Sequence, residues 1–504
     1  MLYKIRRVVA AVFFALITLL FLDFTGTAHL WFGWLAKAQL LPAALAVNVT
    51  VIVLLAVVTL LFGRVYCSVV CPLGVLQDGI SGAAGRRRKN RFRYSPAKSW
   101  LRYGLLILLA AAVIFTGSAI VSLLDPYAAY GRMASSFFVP AYRWGNNLLS
   151  WFAERADSYA FYSTEVWVKG GVTFGVAAVT LLAVGVLAWR GGRTYCNTVC
   201  PVGSLLGLLS RFSIFRMTIN AEKCKKCGLC ERNCKASCID VKRLTVDRSR
   251  CVACFGCAER CKFGAMRYAP VSVGKKKSVG SRTDTAEEDS ASGMSRRSFM
   301  SIAGIFALTQ TVKTVRAQQL KVDGGYAEIK DKKASQRKTP IVPPGAVSLH
   351  NMNKHCTACQ LCVSACTNSV LRPSTSFATL MQPEVSYEKG YCRPDCIACS
   401  LVCPTGAILK IAPADKSAIS VGKATWVAER CIVNRDKVQC NSCASSCPSG
   451  AVTLVAADPE DEKSLKFPVI DGERCTGCGA CENLCPARPF SAVYVEGNVV
   501  HHSI

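Results

Sequence analysis

The sequence predicts a membrane four-helix bundle, all-α, joined to α+β ferredoxin-like iron–sulfur domains. Three observations predict it. Of the 29 cysteines, 24 fall into six groups of four at or near ferredoxin spacing. Four apolar runs open the chain, each near the roughly 20 residues that a spanning helix needs. A C-x-x-x-C-P segment occurs twice, once after each pair of runs.

The runs cover residues 8–24, 40–62, 103–124 and 170–189. Lys and Arg set their expected orientation. Lys4, Arg6 and Arg7 precede the first run, six of the eight residues 86–93 are basic, and Arg190 and Arg193 follow the fourth. The other two loops are poor in net charge, so both ends of the bundle are expected in the cytoplasm. Trp31, Phe32 and Trp34 form an aromatic group for the outer interface. Asp23, His29 and Asp125 lie near the outer ends of runs one and three. Ionisable groups at that depth are candidates for a quinol site, although an ordinary interfacial role is the simpler reading.

The bundle repeats itself. Arg64-Val-Tyr66-Cys67 through Cys71-Pro72 and Gly74 matches Arg193-Thr-Tyr195-Cys196 through Cys200-Pro201 and Gly203. Two helical hairpins related by pseudo-symmetry are expected. Cysteines four apart share a face if the segment is one helix. Two readings follow for Cys67, Cys71, Cys196 and Cys200: a further cofactor-binding redox site, or four inert buried thiols.

Residues 216–270 read as a two-cluster ferredoxin domain behind the transmembrane domain 1–215. Cys224, Cys227, Cys230 and Cys234 follow C-x2-C-x2-C-x3-C, and Cys251, Cys254, Cys257 and Cys261 repeat it. In this pattern the fourth cysteine of each run reaches the other cluster. Cys261 therefore goes with Cys224, Cys227 and Cys230, and Cys234 with Cys251, Cys254 and Cys257. Zinc prefers two cysteine pairs over triplets with a trailing cysteine. Cys238 is left over.

Residues 271–317 read as a linker with an internal twin-arginine signal-like segment. Ser295-Arg296-Arg297-Ser298-Phe299-Met300 precedes a short apolar run, and Val315-Arg316-Ala317 looks like its end. Charge changes here. From Gln318 onward 20 Lys+Arg face 17 Asp+Glu, a net of +3; the first 317 residues hold the remaining 41 and 15, a net of +26. The basic residues flank apolar spans, which points to a membrane and away from nucleic acid.

Residues 318–504 read as a four-cluster ferredoxin domain. Cys356, Cys359, Cys362 and Cys366 keep the standard spacing, as do Cys475, Cys478, Cys481 and Cys485. Cys392, Cys396, Cys399 and Cys403 have one extra residue in the first gap, and Cys431, Cys440, Cys443 and Cys447 a wider one. Adjacent and nested pairings of the four groups both fit. In all, six [4Fe–4S] clusters are expected. No C-x-x-C-H occurs and only five histidines are present, so haem is not the expected carrier.

With its four spans, two C-x-x-x-C-P motifs and trailing pair of ferredoxin motifs, the first 270 residues resemble the NapH-type membrane subunit of a quinol dehydrogenase. Residues 295–504, a twin-arginine leader and four ferredoxin motifs, resemble its NapG-type partner. The two are fused here, with Met294 where a separate partner would begin. The resemblance implies an inner-membrane protein that draws on the quinol pool. It would pass electrons to a periplasmic reductase or cytochrome partner, with the C-terminal domain exported. The alternative from a different class is an assembly or redox-sensing factor without sustained turnover.

Overall fold

The computed structural model describes residues 2–23, 25–87, 92–115, 117–164, 166, 170–270, 330–461 and 464–504. The expected linker and twin-arginine segment lie outside the described residues.

The four apolar runs do not all become single helices. Leu2–Leu22 and Gly171–Gly191 are each 21 residues and apolar enough to cross a membrane. The other two runs are broken, which corrects the expectation of four continuous helices. Run two divides into Leu40–Leu45 and Val49–Phe62. Val47 takes a positive φ of 52°, which stops the first piece. The Asn48 side chain then accepts from Val51 N at 3.3 Å and starts the second. Run three divides into Ser99–Ile114 and Ser118–Leu124. There Gly117 N bonds back to Ala112 O at 2.7 Å, a wide closing turn that ends the helix.

The segment between runs three and four also folds. Pro126–Met133 is a helix with every residue buried. Its start is set by Asp125, whose carboxylate accepts from Tyr127 N and Ala128 N, both at 3.1 Å, with Pro126 at the first helical position. A π-helical turn and Val139–Arg155 follow.

Each C-x-x-x-C-P repeat is two helices meeting at the proline. Val65–Val69 is followed by Pro72–Arg87, and Thr194–Thr198 by Pro201–Ser210. The first cysteine lies inside the one-turn helix and the second at the junction. The segment is not one helix, so the condition for both thiols to share a helix face is not met; a proline without an N–H suits the first turn of a new helix.

The first ferredoxin domain closes on itself through the antiparallel strands Phe215–Ile219 and Met266–Pro270. It packs on the C-x-x-x-C-P end of the helical body. Arg193 N donates to Lys235 O at 2.8 Å, and Arg102 donates to Ser249 Oγ and O at 3.1 and 3.2 Å. The C-terminal domain packs on the other end. Ser118 Oγ donates to Ala378 O at 3.1 Å, and helix Leu2–Leu22 touches helix Leu361–Ala365. Gly131 backs directly onto the Cys359 carbonyl; a Cβ there would collide with that oxygen and with the Phe21 ring. Within the C-terminal domain, strands Ile419–Trp426 and Val493–Ser503 pair antiparallel and draw the chain end onto the middle of the domain.

Much of the helical body's apolar surface is uncovered. Val53, Leu54, Ile107, Ile114, Val179 and Leu182 are each more than half exposed. A contiguous exposed apolar surface marks an interaction site or a membrane.

Candidate iron–sulfur centres

The six ferredoxin groups share one local design. The third cysteine sits on a helix of about one turn: Cys230, Cys257, Cys362, Cys399, Cys443 and Cys481. The fourth cysteine stands at or just past that helix's end. In the four groups with standard spacing, the second cysteine is flanked by two residues of positive φ. These are Lys226 and Gly228, Ala253 and Phe255, Ala358 and Gln360, Gly477 and Gly479. Such turns point successive backbone N–H groups into one concavity, a cradle for anionic sulfur. Ala358 N, for example, lies 3.3 Å from Cys356 Sγ. The two groups with altered first gaps lack the paired left-handed residues. Gly228, Gly477 and Gly479 suit such a turn, but at Lys226, Phe255 and Gln360 nothing in the sequence pattern announced it, because Lys, Phe and Gln are not turn signals.

Long-range packing then assembles the sets. In the first domain, Cys234, Cys251, Cys254 and Cys257 line one cavity. Burial, with Cys224 and Cys261 alongside, pushes the Cys230 thiol up to about 11. In the C-terminal domain, Cys356, Cys359, Cys362 and Cys403 line a second cavity, and Cys431, Cys440, Cys443 and Cys485 a third. Burial raises the Cys399 thiol, with Cys392, Cys366 and Cys396 adding to it. Burial raises Cys481 likewise, with Cys478, Cys475 and Cys447 adding. The four C-terminal groups are thus brought together as adjacent pairs, first with second and third with fourth. Thiols that raise one another's pKa in a buried space are stabilised as thiolates by a bound cation.

Cys67, Cys71, Cys196 and Cys200 are all buried in the helical body, between the two domains. Two fully buried guanidiniums attend them with the symmetry of the repeat. Arg64 Nη2 lies 3.8 Å from Cys67 Sγ and donates across the repeat to Cys196 O at 3.3 Å. Arg193 Nη1 lies 3.9 Å from Cys196 Sγ and donates across to Cys67 O at 2.6 Å. Glycine at positions 74 and 203 makes room, since a Cβ at either would collide with the opposite arginine. Arg193 is paired with Asp78, Nε to Oδ1 at 2.9 Å, and Asp78 also takes Arg6 at 3.0 Å and Lys235 at 3.5 Å. Burial alone would raise the Asp78 carboxyl, but Arg193, Lys235 and Arg6 hold it well below the ordinary carboxylate range. Arg64 is different. Its partners are Asn197 Oδ1 at 2.9 Å and Ser249 O at 3.0 Å, and no carboxylate pairs with it among the described residues. A buried cation without a counter-charge is costly, so the donor set fits an anionic, thiolate-ligated group. Among the described residues no three His, Cys, Asp or Glu side chains are spaced for a single metal ion.

Comparison with known proteins agrees. A family model described as a 4Fe-4S binding domain matches residues 45–91 and 172–220, the two halves that carry the C-x-x-x-C-P motifs. A 4Fe-4S dicluster domain model matches residues 438–488, across the third and fourth C-terminal groups. The methylamine utilization ferredoxin-type protein MauM of Methylophilus methylotrophus is 31% identical over 161 residues, which is 31% of this chain and 70% of that protein. The chain belongs to the ferredoxin-type family of MauM. The protein described as "Putative electron transport protein YccM" of Escherichia coli is 28% identical over 216 residues, 40% of this chain and 53% of its own length. The ferredoxin-type protein NapF of Escherichia coli is 24% identical over 183 residues, 36% of this chain and 100% of its own length. No solved structure matches. The chain is an iron–sulfur electron-transfer protein of the ferredoxin type.

Cys238 is not a bystander. It lines the same cavity as Cys234 and Cys251, and its Sγ is 3.6 Å from Cys234 Sγ. The neighbouring Cys238 thiol holds the Cys234 thiol below its ordinary value. Cys234→Ser is expected to lower bound iron by about four atoms per chain, one cubane. Cys238→Ser is expected to leave it unchanged; equal losses in anaerobic iron analysis would make Cys238 a ligand.

Asp23, His29 and Asp125 do not form one cluster. His29 Nδ1 meets Asp23 Oδ2 at 3.1 Å, and Asp23 also caps the turn through Thr25 N and Gly26 N. Asp125 stands apart as the cap of Pro126–Met133.

Proposed function

We propose that the chain is a multi-pass electron carrier of the bacterial inner membrane. On this reading it draws electrons from quinol and hands them to a reductase or cytochrome in the periplasm. One observation carries the proposal. A single packed core runs from Val252 of the first ferredoxin domain through Cys67, Cys71, Cys196 and Cys200 to Cys359 and Cys362 of the C-terminal domain, with Cys254 packed against it. Bound clusters would supply one-electron storage at each cysteine set.

The chain's own residues do the rest. The helical body keeps the two domains apart and excludes water between them. Arg64 and Arg193 balance the charge of the central thiolates. On this reading the exposed Val, Leu and Ile side chains of the helices face lipid. Residues 216–270 are cytoplasmic, by the distribution of Lys and Arg, and residues 318–504 are periplasmic, delivered by the internal twin-arginine segment.

The test is anaerobic mixing of the full, cluster-loaded chain with a quinol analogue. Bleaching of the iron–sulfur absorbance within seconds is expected. Clusters that dithionite reduces but quinol does not would favour an assembly or sensing role. Topology is checked separately. A reporter active only in the periplasm, fused after Ile504, should give signal, and changing Arg296 and Arg297 together to Lys should silence it. Signal from a cytoplasm-only reporter at the same place would reject the transmembrane arrangement.

A further inference from the structure

The two cysteine sets of the first ferredoxin domain face different ways. Val252 belongs to the core shared with the helical body, and Cys254 packs against it. No residue of the loops 222–230 and 259–263 contributes to that core. Of the 24 cysteines at ferredoxin spacing, Cys227 alone is exposed. The Cys251 set therefore looks into the molecule, and the Cys224 set, completed by Cys261, looks out of it. Another protein's carrier can approach the second and not the first.

Basic side chains surround the outward set. Lys223, Lys225, Lys226, Arg260 and Lys262 are exposed, and each is next in the chain to one of its cysteines. Arg232, also exposed, donates from Nη2 to Cys227 O at 2.8 Å. Lys225 Nζ lies 4.8 Å from the centre of the exposed Phe263 ring, which joins the two loops into one surface. Among the described residues the domain's ion pairs are made by Lys235, Arg243 and Arg250, so the charges beside Cys227 are left for a partner. Glu222 and Glu259 share the surface, while Glu231 accepts from Tyr94 N at 3.1 Å. The excess is a property of the whole domain. Residues 216–270 hold 13 Lys+Arg against 5 Asp+Glu, a net of +8, where the much longer stretch from Gln318 onward nets +3. A field of one sign around one site steers a partner of the other sign onto it.

We infer that the face carrying Cys224, Cys227, Cys230 and Cys261 is an electron-entry port for a small acidic one-electron carrier protein. A charged rim around an exposed ring suits the small, transient interfaces of electron-transfer partners. An anionic lipid surface would meet the same charges, but it has no electron to give to the exposed thiol set. In the encounter the reduced carrier loses one electron and the oxidised [4Fe–4S] group of this set gains it; no bond forms or breaks and no proton moves. The port requires no quinol site elsewhere in the chain.

The test mixes the full, cluster-loaded chain in detergent with an acidic plant-type [2Fe–2S] ferredoxin, reduced beforehand, and follows the ferredoxin's reoxidation by stopped flow. The second-order rate constant is expected to fall about tenfold as ionic strength rises from about 0.01 to about 0.1 M, because the screening length shortens from about 30 to about 10 Å. Lys225→Glu with Lys262→Glu should lower it about tenfold at low salt. Lys389→Glu with Lys466→Glu, the same charge change at exposed positions of the C-terminal domain, should leave it unchanged. Reduced methyl viologen, a cation, should lose no rate in either double variant, and iron content should stay constant. Equal losses with ferredoxin in both double variants would make the effect one of net charge and overturn the port, as would a rate that neither salt nor substitution moves. An unmoved ferredoxin rate in Lys225→Glu with Lys262→Glu, together with lost binding to phosphatidylglycerol vesicles, would assign the charges to lipid and overturn it too.

Discussion

Replacing Arg64 with Gln is expected to slow electron transfer between the two cysteine-rich domains by ten- to a hundredfold, the usual loss when a group supporting a metal ligand is removed. The six ferredoxin groups should stay loaded. Arg64 is fully buried, stands 3.8 Å from Cys67 Sγ, and bridges the repeats through Cys196 O. Gln keeps some hydrogen bonding but removes the positive charge beside Cys67. The cysteines themselves should behave as one unit. Cys67→Ala and Cys196→Ala should each impair transfer alike, and the double variant should add little, since residues of one site are strongly non-additive. The measurement is reduction of residues 216–270 by a one-electron donor, with the C-terminal signals followed by electron paramagnetic resonance. Small, additive effects would return Cys67, Cys71, Cys196 and Cys200 to the reading of inert buried thiols.

Gly131→Leu is expected to separate the C-terminal domain from the helical body. Helix Pro126–Met133 and the Cys359 loop touch backbone to backbone at this residue, with the Phe21 ring beside them. A side chain has nowhere to go, because one neighbour is a carbonyl that cannot rotate away. Overpacking of this kind costs about 1–3 kcal/mol or more, and here the relief is undocking. Cluster loading should persist, since all sixteen C-terminal group thiols belong to the domain's own loops. Limited proteolysis should release the domain faster than in the wild type, and reduction should no longer pass between the two ends. Unchanged proteolysis with unchanged transfer would mean that the contact at Gly131 yields without consequence.

Much of the iron–sulfur chemistry was legible because it is local. A cubane needs three thiolates within a few residues, so Cys224, Cys227 and Cys230 announce themselves by spacing alone. Apolar length was legible for Leu2–Leu22 and Gly171–Gly191 for the same reason. The breaks in the other two runs were harder to read. They depend on a side-chain cap at Asn48 and a closing turn at Gly117, in stretches whose composition stays apolar.

By itself the sequence determined which cysteines carry ferredoxin spacing, which stretches are apolar, and that residues 64–76 and 193–205 repeat one motif. Only the tertiary structure decided the partners. The cross-bonding of Arg64 to Cys196 spans 132 residues, and Arg193 reaches Cys67 across 126. The C-terminal groups chose adjacent over nested pairing. The physical reason is that side chains far apart in the chain meet only after the helices pack. No period, spacing or propensity along the chain records which backbone carbonyl a buried guanidinium will find there.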